Sequence, residues 1–539
     1  MAADNTAASD APHSAAPTPA GRASALDPAL VARLAARVVA GPDAARSQVR
    51  SPLDDSLIAE VPLSTVDDVQ AAVARARAAQ EVWAQRSPTA RAAVLRRVHD
   101  IVLERRSEGL DVVQLESGKA RIHAFEELAD VAMNASWYAR RGPRLLRDVR
   151  RGGIVPGFTA VRQVRHPKGI VAVIAPWNYP LTLAISDALP ALLAGNAVVL
   201  KPAQITPLSG LWAADVLADA GLPDGLFQVV HGQGSVIGTA MIDRCDYLCF
   251  TGSTGAGRQV AQRAGGRVIG ASLELGGKNP LYVAEDADLD RAAEAAVRDC
   301  FSNAGQLCVS IERMILHEAV ADAFLDRFLD RVGRLRLGTD LDYSADVGSL
   351  VGAGHLAEVD GFVQDAVASG AKVLAGGRAR PDVGPHVYEP TVLDGVTPAA
   401  RCHLEETFGP VVSVYRVGSD GEALALANLG DYGLNASVWT GDLARGRRLA
   451  RQVRAGTVTV NEAFVVGWAS LASPMGGRKD SGLGRRHGEE GLLRFTESQT
   501  IAVQRGIGLA PLYAGGGERF SKLFVGALKA ARATGFPWP

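Results

Sequence analysis

An α/β fold, with parallel strands covered by helices on both faces, is what this sequence predicts, and three observations carry the prediction. First, short apolar runs recur without polar alternation: Ile170 to Ala175, Ala197 to Leu200, Leu226 to Val230 and Tyr247 to Phe250. A strand with one wet face alternates, whereas an uninterrupted run is buried on both sides. Second, helical stretches lie between the runs, notably Leu181 to Ala194 and Leu208 to Ala220, the alternation that gives parallel pairing. Third, the pattern resumes after Glu274, with Leu281 to Val283, a helix around Ala292 to Val297, then Met314 to Leu316, Val411 to Val417 and Ala436 to Trp439. That second alternation predicts a second α/β domain.

The elements follow in order. A chain of 539 residues predicts roughly two or three domains. Residues 1–26 are rich in Ala, Ser, Pro and Asp, without a basic start and apolar block. They read as a disordered leader, not a signal peptide. No later run is long enough to span a bilayer. Structure is expected from about Pro28. Ser64-Thr65-Val66-Asp67 resembles a capping box, followed by Val69, Val73 and Ala76 at helical spacing. A second amphipathic helix runs from about Ala90 to Arg106, with Val94, Val98, Ile101 and Val102 inward. Arg150 to Pro167, around the turn Pro156-Gly157, reads as a hairpin leaving its domain. Its uncovered edges predict a subunit contact. In the tail, Phe520, Leu523, Phe524 and Leu528 share a helical face, with Arg519, Lys522, Lys529 and Arg532 nearby. Docking on a neighbouring subunit is the expectation there, a membrane-surface helix the alternative.

A formal net charge of −1 and 21% charged residues leave no global field to recruit nucleic acid or an acidic membrane. The basic runs Arg140-Arg141 and Arg485-Arg486-His487 read as solvated faces or subunit contacts. The five cysteines are odd in number and scattered through the second half, a poor disulfide framework. Neither CxxC nor HExxH occurs, so no metal site is expected. Reduced thiols in a cytoplasmic compartment are the simplest reading.

Chemistry starts with the thiol, whose thiolate is the strongest nucleophile near neutral pH. Cys308 follows Asn303-Ala304-Gly305-Gln306-Leu307, a bend of small and polar residues after a helix. Cys245, Cys249, Cys300 and Cys402 lie in mixed or apolar surroundings. Each cysteine taken alone reads as a buried structural thiol, and the loop raises Cys308 only modestly. Glu274, flanked by leucines and followed by Gly276-Gly277-Lys278, is either a desolvated general base or a strand-end partner of Lys278. Asn178, after Pro176-Trp177, is an oxyanion donor or a turn-former. Gly252-Ser-Thr-Gly255-Ala-Gly257 sits between a strand and a helix, where amides meet phosphates. It lacks the G-x-G-x-x-G order, and Gly232-Gln-Gly234 is a rival.

Taken together, the motifs resemble one family in order and spacing. Pro176-Trp-Asn-Tyr-Pro180, Lys201-Pro, Phe250-Thr-Gly-Ser253, Leu273-Glu-Leu-Gly-Gly-Lys278, Gly305-Gln-Leu-Cys308, Glu405-Glu-Thr-Phe-Gly-Pro410 and Pro474-Met-Gly-Gly477 are similar to those of the aldehyde dehydrogenase superfamily, from about Pro28 to Thr500. Within it the chain is most similar to the actinobacterial NADP-dependent succinate-semialdehyde dehydrogenase branch. The resemblance implies the aldehyde dehydrogenase fold. A Rossmann-like cofactor domain (27–147 and 166–276) is joined to an α/β catalytic domain (277–477). A β-hairpin oligomerisation arm (148–165 and 478–505) and a tail (506–539) complete it. It implies Cys308 as nucleophile, Asn178 with the Cys308 amide as oxyanion holders, and Glu274 as activator of the hydrolytic water. It implies cofactor contacts from Trp177, Lys201, Pro202, Ala203, Gln204, Gly252, Ser253, Thr254, Leu275, Glu406 and Phe408. A small-molecule aldehyde, succinate semialdehyde first, and a homodimer or homotetramer are further implications.

Departures from the pattern sharpen two points. NAD-preferring relatives often carry glutamate where this chain has Gln204, so NADP is expected over NAD. Some succinate-semialdehyde enzymes grip the distal carboxylate with arginines eight residues after the asparagine and six before the cysteine; here those positions are Ser186 and Ser302. Arg313 and Arg478 are the candidate substitutes. An aromatic or medium-chain aldehyde is therefore the alternative substrate, and a catalytically silent relative the alternative class.

Overall fold

Capping side chains fix the first boundaries. The computed structural model describes residues 26–154, 158–506 and 516–535, so the expected leader up to residue 25 and the Pro156-Gly157 turn lie outside the described residues. Asp27 accepts the Ala29 amide and opens helix Pro28–Ala35. The capping box forms one residue later than expected: Thr65 and Asp68 bond reciprocally and open helix Val66–Ala84. Ser64 is already committed, its hydroxyl donating to the Val39 carbonyl at 2.7 Å. That helix buries Val69, Ala72, Ala76, Gln80 and Trp83. The next, Pro88–Glu104, buries Val94, Leu95, Val98 and Val102.

The first of the larger sheets has six strands in the order Gly482–Leu483, Gly270–Glu274, Tyr247–Thr251, Ile170–Ile174, Ala197–Lys201, Phe227–Val229. All pairings are parallel except that of Gly482–Leu483, which lies antiparallel against Leu273 and Glu274. Ile170–Ile174 and Ala197–Lys201 are buried at every position, as uninterrupted apolar runs require. The second sheet has seven strands in the order Lys372–Ala375, Thr391–Asp394, Val411–Val417, Ile311–His317, Asn279–Val283, Asn435–Trp439, Thr457–Val460. Only Lys372–Ala375 runs antiparallel. Separate apolar cores form around the two sheets, which makes the α/β reading with a Rossmann-like first sheet correct.

Two expectations need correction. The helix expected over Leu181 to Ala194 is broken into Pro180–Ile185 and Ala188–Ala194. At the break Ser186 donates to Asp130 at 2.9 Å, and Asp187 is drawn to Arg486 and Arg494. The run Arg485-Arg486-His487 is not a solvated face: Arg486 and His487 are both buried. The Arg486 guanidinium forms a two-pronged pair with Asp187, at 3.0 and 2.6 Å. Such a matched carboxylate offsets much of the cost of taking a guanidinium out of water.

Val149–Arg151 and Thr159–Pro167 form the expected hairpin, which Thr496–Gln504 extends into a three-stranded sheet. Ile501 and Val503 on that last strand are exposed. The tail forms helix Gly517–Thr534, in which Ala531 alone is buried. Among the described residues no helix is long and apolar enough to cross a membrane.

Candidate active site

Strand ends build the site. Ile174 leads into Pro176-Trp177-Asn178, Lys201 closes its strand, Thr251 leads into Gly252-Ser253, and Glu274 is the last residue of Gly270–Glu274. Chain order reverses between Ile170–Ile174 and Tyr247–Thr251, the switch point at which open parallel sheets bind ligands. A cavity of about 260 Å³ opens there, lined by Trp177, Asn178, Glu274, Leu275, Cys308 and Phe408 among others. The three residues singled out for chemistry thus share one wall, although they lie on separate segments.

Cys308 arrives from the second sheet. Helix Leu289–Phe301 ends in a short turn, Ser302–Gly305, in which Asn303 and Ala304 both have φ of 53°. Left-handed backbone at non-glycine residues is strained, and hydrogen bonds hold it. The Asn303 amide donates to the carbonyls of Asn178 at 3.0 Å and Gln306 at 2.9 Å. Gly305 must be glycine, since a Cβ there would collide with the Gly409 carbonyl. Asn279 donates to the Cys308 carbonyl at 2.8 Å. Of the five cysteines, Cys308 alone is not fully buried. Desolvation, with the carboxyls of Glu406 and Glu274, pushes its thiol up to about 12. The resting group is therefore a thiol, and a base must take its proton.

Glu274 suits that task. Its Oε1 is buried with no hydrogen-bond partner. Burial, partly offset by Arg486 and Arg494, raises its carboxyl to about 7. The alternative of a pair with Lys278 is corrected, because Lys278 bonds Glu312 at 2.5 Å and Glu312 also receives the Thr407 and Phe408 amides. Asn178 donates one amide hydrogen to the Gln306 carbonyl at 3.1 Å; an amide carries two, which leaves one for the cavity. Its own carbonyl accepts from Lys119 at 2.7 Å.

The remaining features suit a nucleotide. Lys201 is buried, donates to the Pro202 carbonyl at 2.7 Å, and has no carboxylate partner among the described residues. Desolvation lowers its ammonium to about 8. A buried cation without a counter-ion fits an anionic, hydroxyl-rich ligand. A groove of about 580 Å³ lies between the Gly234–Gly238 turn and helix Thr254–Gly266, with Ile174 and Phe250 in its wall. Ser253 caps that helix, and a Cβ on Gly255 would meet nothing within 4 Å, so the backbone is open to a ligand. Trp177 and Phe408 meet edge to face at 5.5 Å. Glu406 accepts the Gly277 amide at 2.7 Å. Ala203 and Gln204 are half-buried just beyond Lys201.

A second cavity of about 150 Å³ abuts the neighbours of Asn178 and Cys308, namely Tyr179 and Leu307. Phe125, Met133, Phe464 and Trp468 add to its wall, with Glu126 and Asp130. Trp468 donates to Asp130 at 2.8 Å. Neither candidate arginine reaches it. Arg313 is buried and donates to the carbonyls of Lys278, Leu426 and Ala427, while Arg478 is exposed.

Sequence reading missed the buried Lys119–Glu127 pair at 2.6 Å, which props the Asn178 turn. It also missed His355, which lines the larger cavity and bonds the Phe408 carbonyl at 2.8 Å. An isolated Glu-Ser-Gly-Lys stretch was the only signal for Lys119.

A switch-point groove on one parallel sheet, beside a cysteine loop presented by a second, is an arrangement in which a nucleotide and a nucleophile can meet. The chain belongs to the aldehyde dehydrogenase family: the model described as "Aldehyde dehydrogenase family" matches residues 39–501. Its general activity is aldehyde oxidation. A Mycobacterium tuberculosis protein provisionally named succinate-semialdehyde dehydrogenase [NADP(+)] 2 is 53% identical over 451 residues, 84% of this chain and 87% of that protein. The 4,4'-diapolycopene aldehyde oxidase of a Methylomonas species is 39% identical, over 83% of each chain. Betaine aldehyde dehydrogenase from Staphylococcus aureus, solved with NAD+, superposes with a TM-score of 0.82 at 29% identity, over 88% of this chain and 95% of that one.

Proposed function

We propose that the chain oxidises an aldehyde to its carboxylic acid with NADP+, through a covalent intermediate on Cys308. The observation that carries the reading is the meeting of Cys308, Asn178 and the unpartnered carboxyl of Glu274 at one cavity. Glu274, poised near neutrality, takes the thiol proton, and the thiolate adds to the aldehyde carbon. The free Asn178 N–H and the Cys308 backbone N–H hold the oxyanion. Lys201, Glu406, Trp177, Gly252, Ser253, Thr254, Leu275 and Phe408 would hold NADP+, which would supply the hydride acceptor. Loss of hydride leaves a thioester; Glu274, having released the thiol proton to solvent, removes a proton from the water that hydrolyses it. The acid departs and the thiol is restored.

Neutral Gln204, in place of a carboxylate, supports NADP over NAD, because a 2′-phosphate meets no like charge there. The first sheet with its helices then serves as the cofactor domain and the second as the catalytic domain. The three-stranded sheet, with its exposed outer strand, suits assembly into a homodimer or homotetramer. Succinate semialdehyde is the aldehyde that the mycobacterial name points to; the Methylomonas relative is named for another. An uncharged aromatic or medium-chain aldehyde is the second reading, favoured by the cation-free wall of the smaller cavity. NADPH absorbance with an aldehyde panel, beside Cys308→Ala, tests the proposal: formation by the native chain and none by the variant is expected. No formation by a folded native chain with any aldehyde and either cofactor would sink it.

A further inference from the structure

Helix Gly517–Thr534 lines neither cavity of the site, and the family match ends before it, at residue 501. Its side chains are sorted by face. At about 100° per residue, Phe520, Leu523, Phe524, Ala527, Leu528 and Ala531 fall within one arc of about 140°, bordered by Leu523 and Leu528. Arg519 and Arg532 lie about 40° outside the two borders, and Lys522 and Lys529 face the opposite way. We propose that this helix lies flat on an anionic lipid surface, with its apolar arc among the acyl chains and its basic residues toward the phosphates, and so holds the protein on a membrane without crossing it.

The arc is not spent on the protein's own core. Leu523 is 75% exposed, and Phe520 and Leu528 are 37% and 42% exposed. Phe520 stacks along the helix on Phe524, with ring centroids 5.7 Å apart, so two rings form one continuous apolar surface. Contiguous apolar surface left in water marks a site of interaction. A helix of 18 residues is about 27 Å long, and with four cations it is too charged to span a bilayer. Lying in the plane, it buries the arc and leaves the charged heads in the polar layer.

Charge selects the occupant. The helix carries four cations and one acid, whereas the whole chain has a formal net charge of −1, so the positive field is local to this element. The acid, Glu518, lies on the polar side and accepts from Lys522 at 2.6 Å. Both borders of the arc therefore carry arginine and neither carries a carboxylate. The same helix of a second copy would bring like charges to those borders, where paired helices need opposite ones. Lipid phosphates supply the opposite sign along both borders at once. They also lie at the depth to which a long basic side chain reaches from the edge of an apolar layer.

The test is co-sedimentation of the full chain with vesicles of phosphatidylcholine, alone or with a third of phosphatidylglycerol. Leu523→Lys and the double variant Arg519→Gln/Arg532→Gln are run beside it; all three positions are exposed, so circular dichroism should stay native. The native chain should bind the anionic vesicles about tenfold or more tightly than the neutral ones, and lose that preference at about 0.5 M salt. The double variant should bind the anionic vesicles about 25-fold more weakly, near fivefold for each cation. Leu523→Lys adds a cation while removing apolar surface, and about tenfold weaker binding is expected. Unchanged or tighter binding by Leu523→Lys would overturn insertion of the arc, and unchanged binding by the double variant would overturn the choice of an anionic surface. No binding of the native chain to either vesicle would overturn the proposal outright. So would dissociation of a lipid-free oligomer by Leu523→Lys in light scattering, which would assign the arc to a second copy of the chain.

Discussion

One cavity is lined by Cys308 and a second by its chain neighbour Leu307, and they are made differently. The larger one is walled by strand-end residues and turns: Trp177, Gly252, Ser253, Glu274, Leu275 and Phe408. The smaller is walled by side chains from helices Arg121–Leu145, Pro180–Ile185 and Phe464–Ala469. In the first, backbone shape does the work: in the loop that carries Cys308, a Cβ on Gly305 would collide with the Gly409 carbonyl. In the second, single side chains on rigid helices set size and polarity, and any of them can be exchanged without moving a strand. On the proposed reading, chemistry and cofactor are tied to the fold, while the choice of aldehyde falls to a few exchangeable residues.

The largest effect that would test this division is at the thiol. Cys308→Ala should lower aldehyde oxidation by about 10⁴-fold or more while NADP binding, followed by tryptophan fluorescence, stays within about twofold of native. Loss of both together would break the separation. Glu274→Gln comes next, with steady-state turnover down by about 10²–10⁴-fold. Its pH dependence is the sharper readout. The base works only when ionised, so the native rate should climb as pH rises through about 7, and the variant should lose that limb.

Lys201→Ala acts on the cofactor side alone. It should weaken NADP binding by about 1.5–3 kcal/mol, the worth of hydrogen bonds to a charged group, and leave the ratio between aldehydes unchanged. In the native chain the ammonium is lost as pH rises past about 8, so a titration calorimeter should register weaker NADP binding above that pH. The smallest change expected is from Gln204→Glu. A carboxylate near the 2′-phosphate should cut the NADP-over-NAD preference by about fivefold, roughly 1 kcal/mol of repulsion in water-like surroundings.

The same division explains what the sequence disclosed. The central strands were readable to within a residue or two because each is buried on both faces and bounded by Pro or Gly. Much of the larger cavity was readable because Trp177, Asn178, Gly252, Ser253 and Glu274 sit at the ends of those strands. The helix break at Ser186-Asp187 was not, since its cause is Asp130 and two arginines remote in sequence. Arg486 looked like a surface residue for the same reason: its partner, Asp187, is 299 positions away. Lys119 and Glu127 neutralise each other inside the protein, and nothing in their immediate neighbours announces it. The smaller cavity draws its lining from three helices whose apolar residues read, one at a time, as ordinary core.

One feature of the first sheet bears on how the protein is made. The strand that ends in Glu274 has its outer edge closed by Gly482–Leu483, and the Leu275 amide donates to the Ser481 carbonyl at 2.9 Å. A chain emerging from the ribosome carries Asn178, Glu274 and Cys308 well before those closing residues. Until they arrive, that edge stays open and Asp187 waits for Arg486 and Arg494. The surroundings of Glu274 are thus completed only near the end of synthesis, and a message cut short before codon 482 yields a protein that holds the Cys308 thiol but lacks the strand that closes this edge.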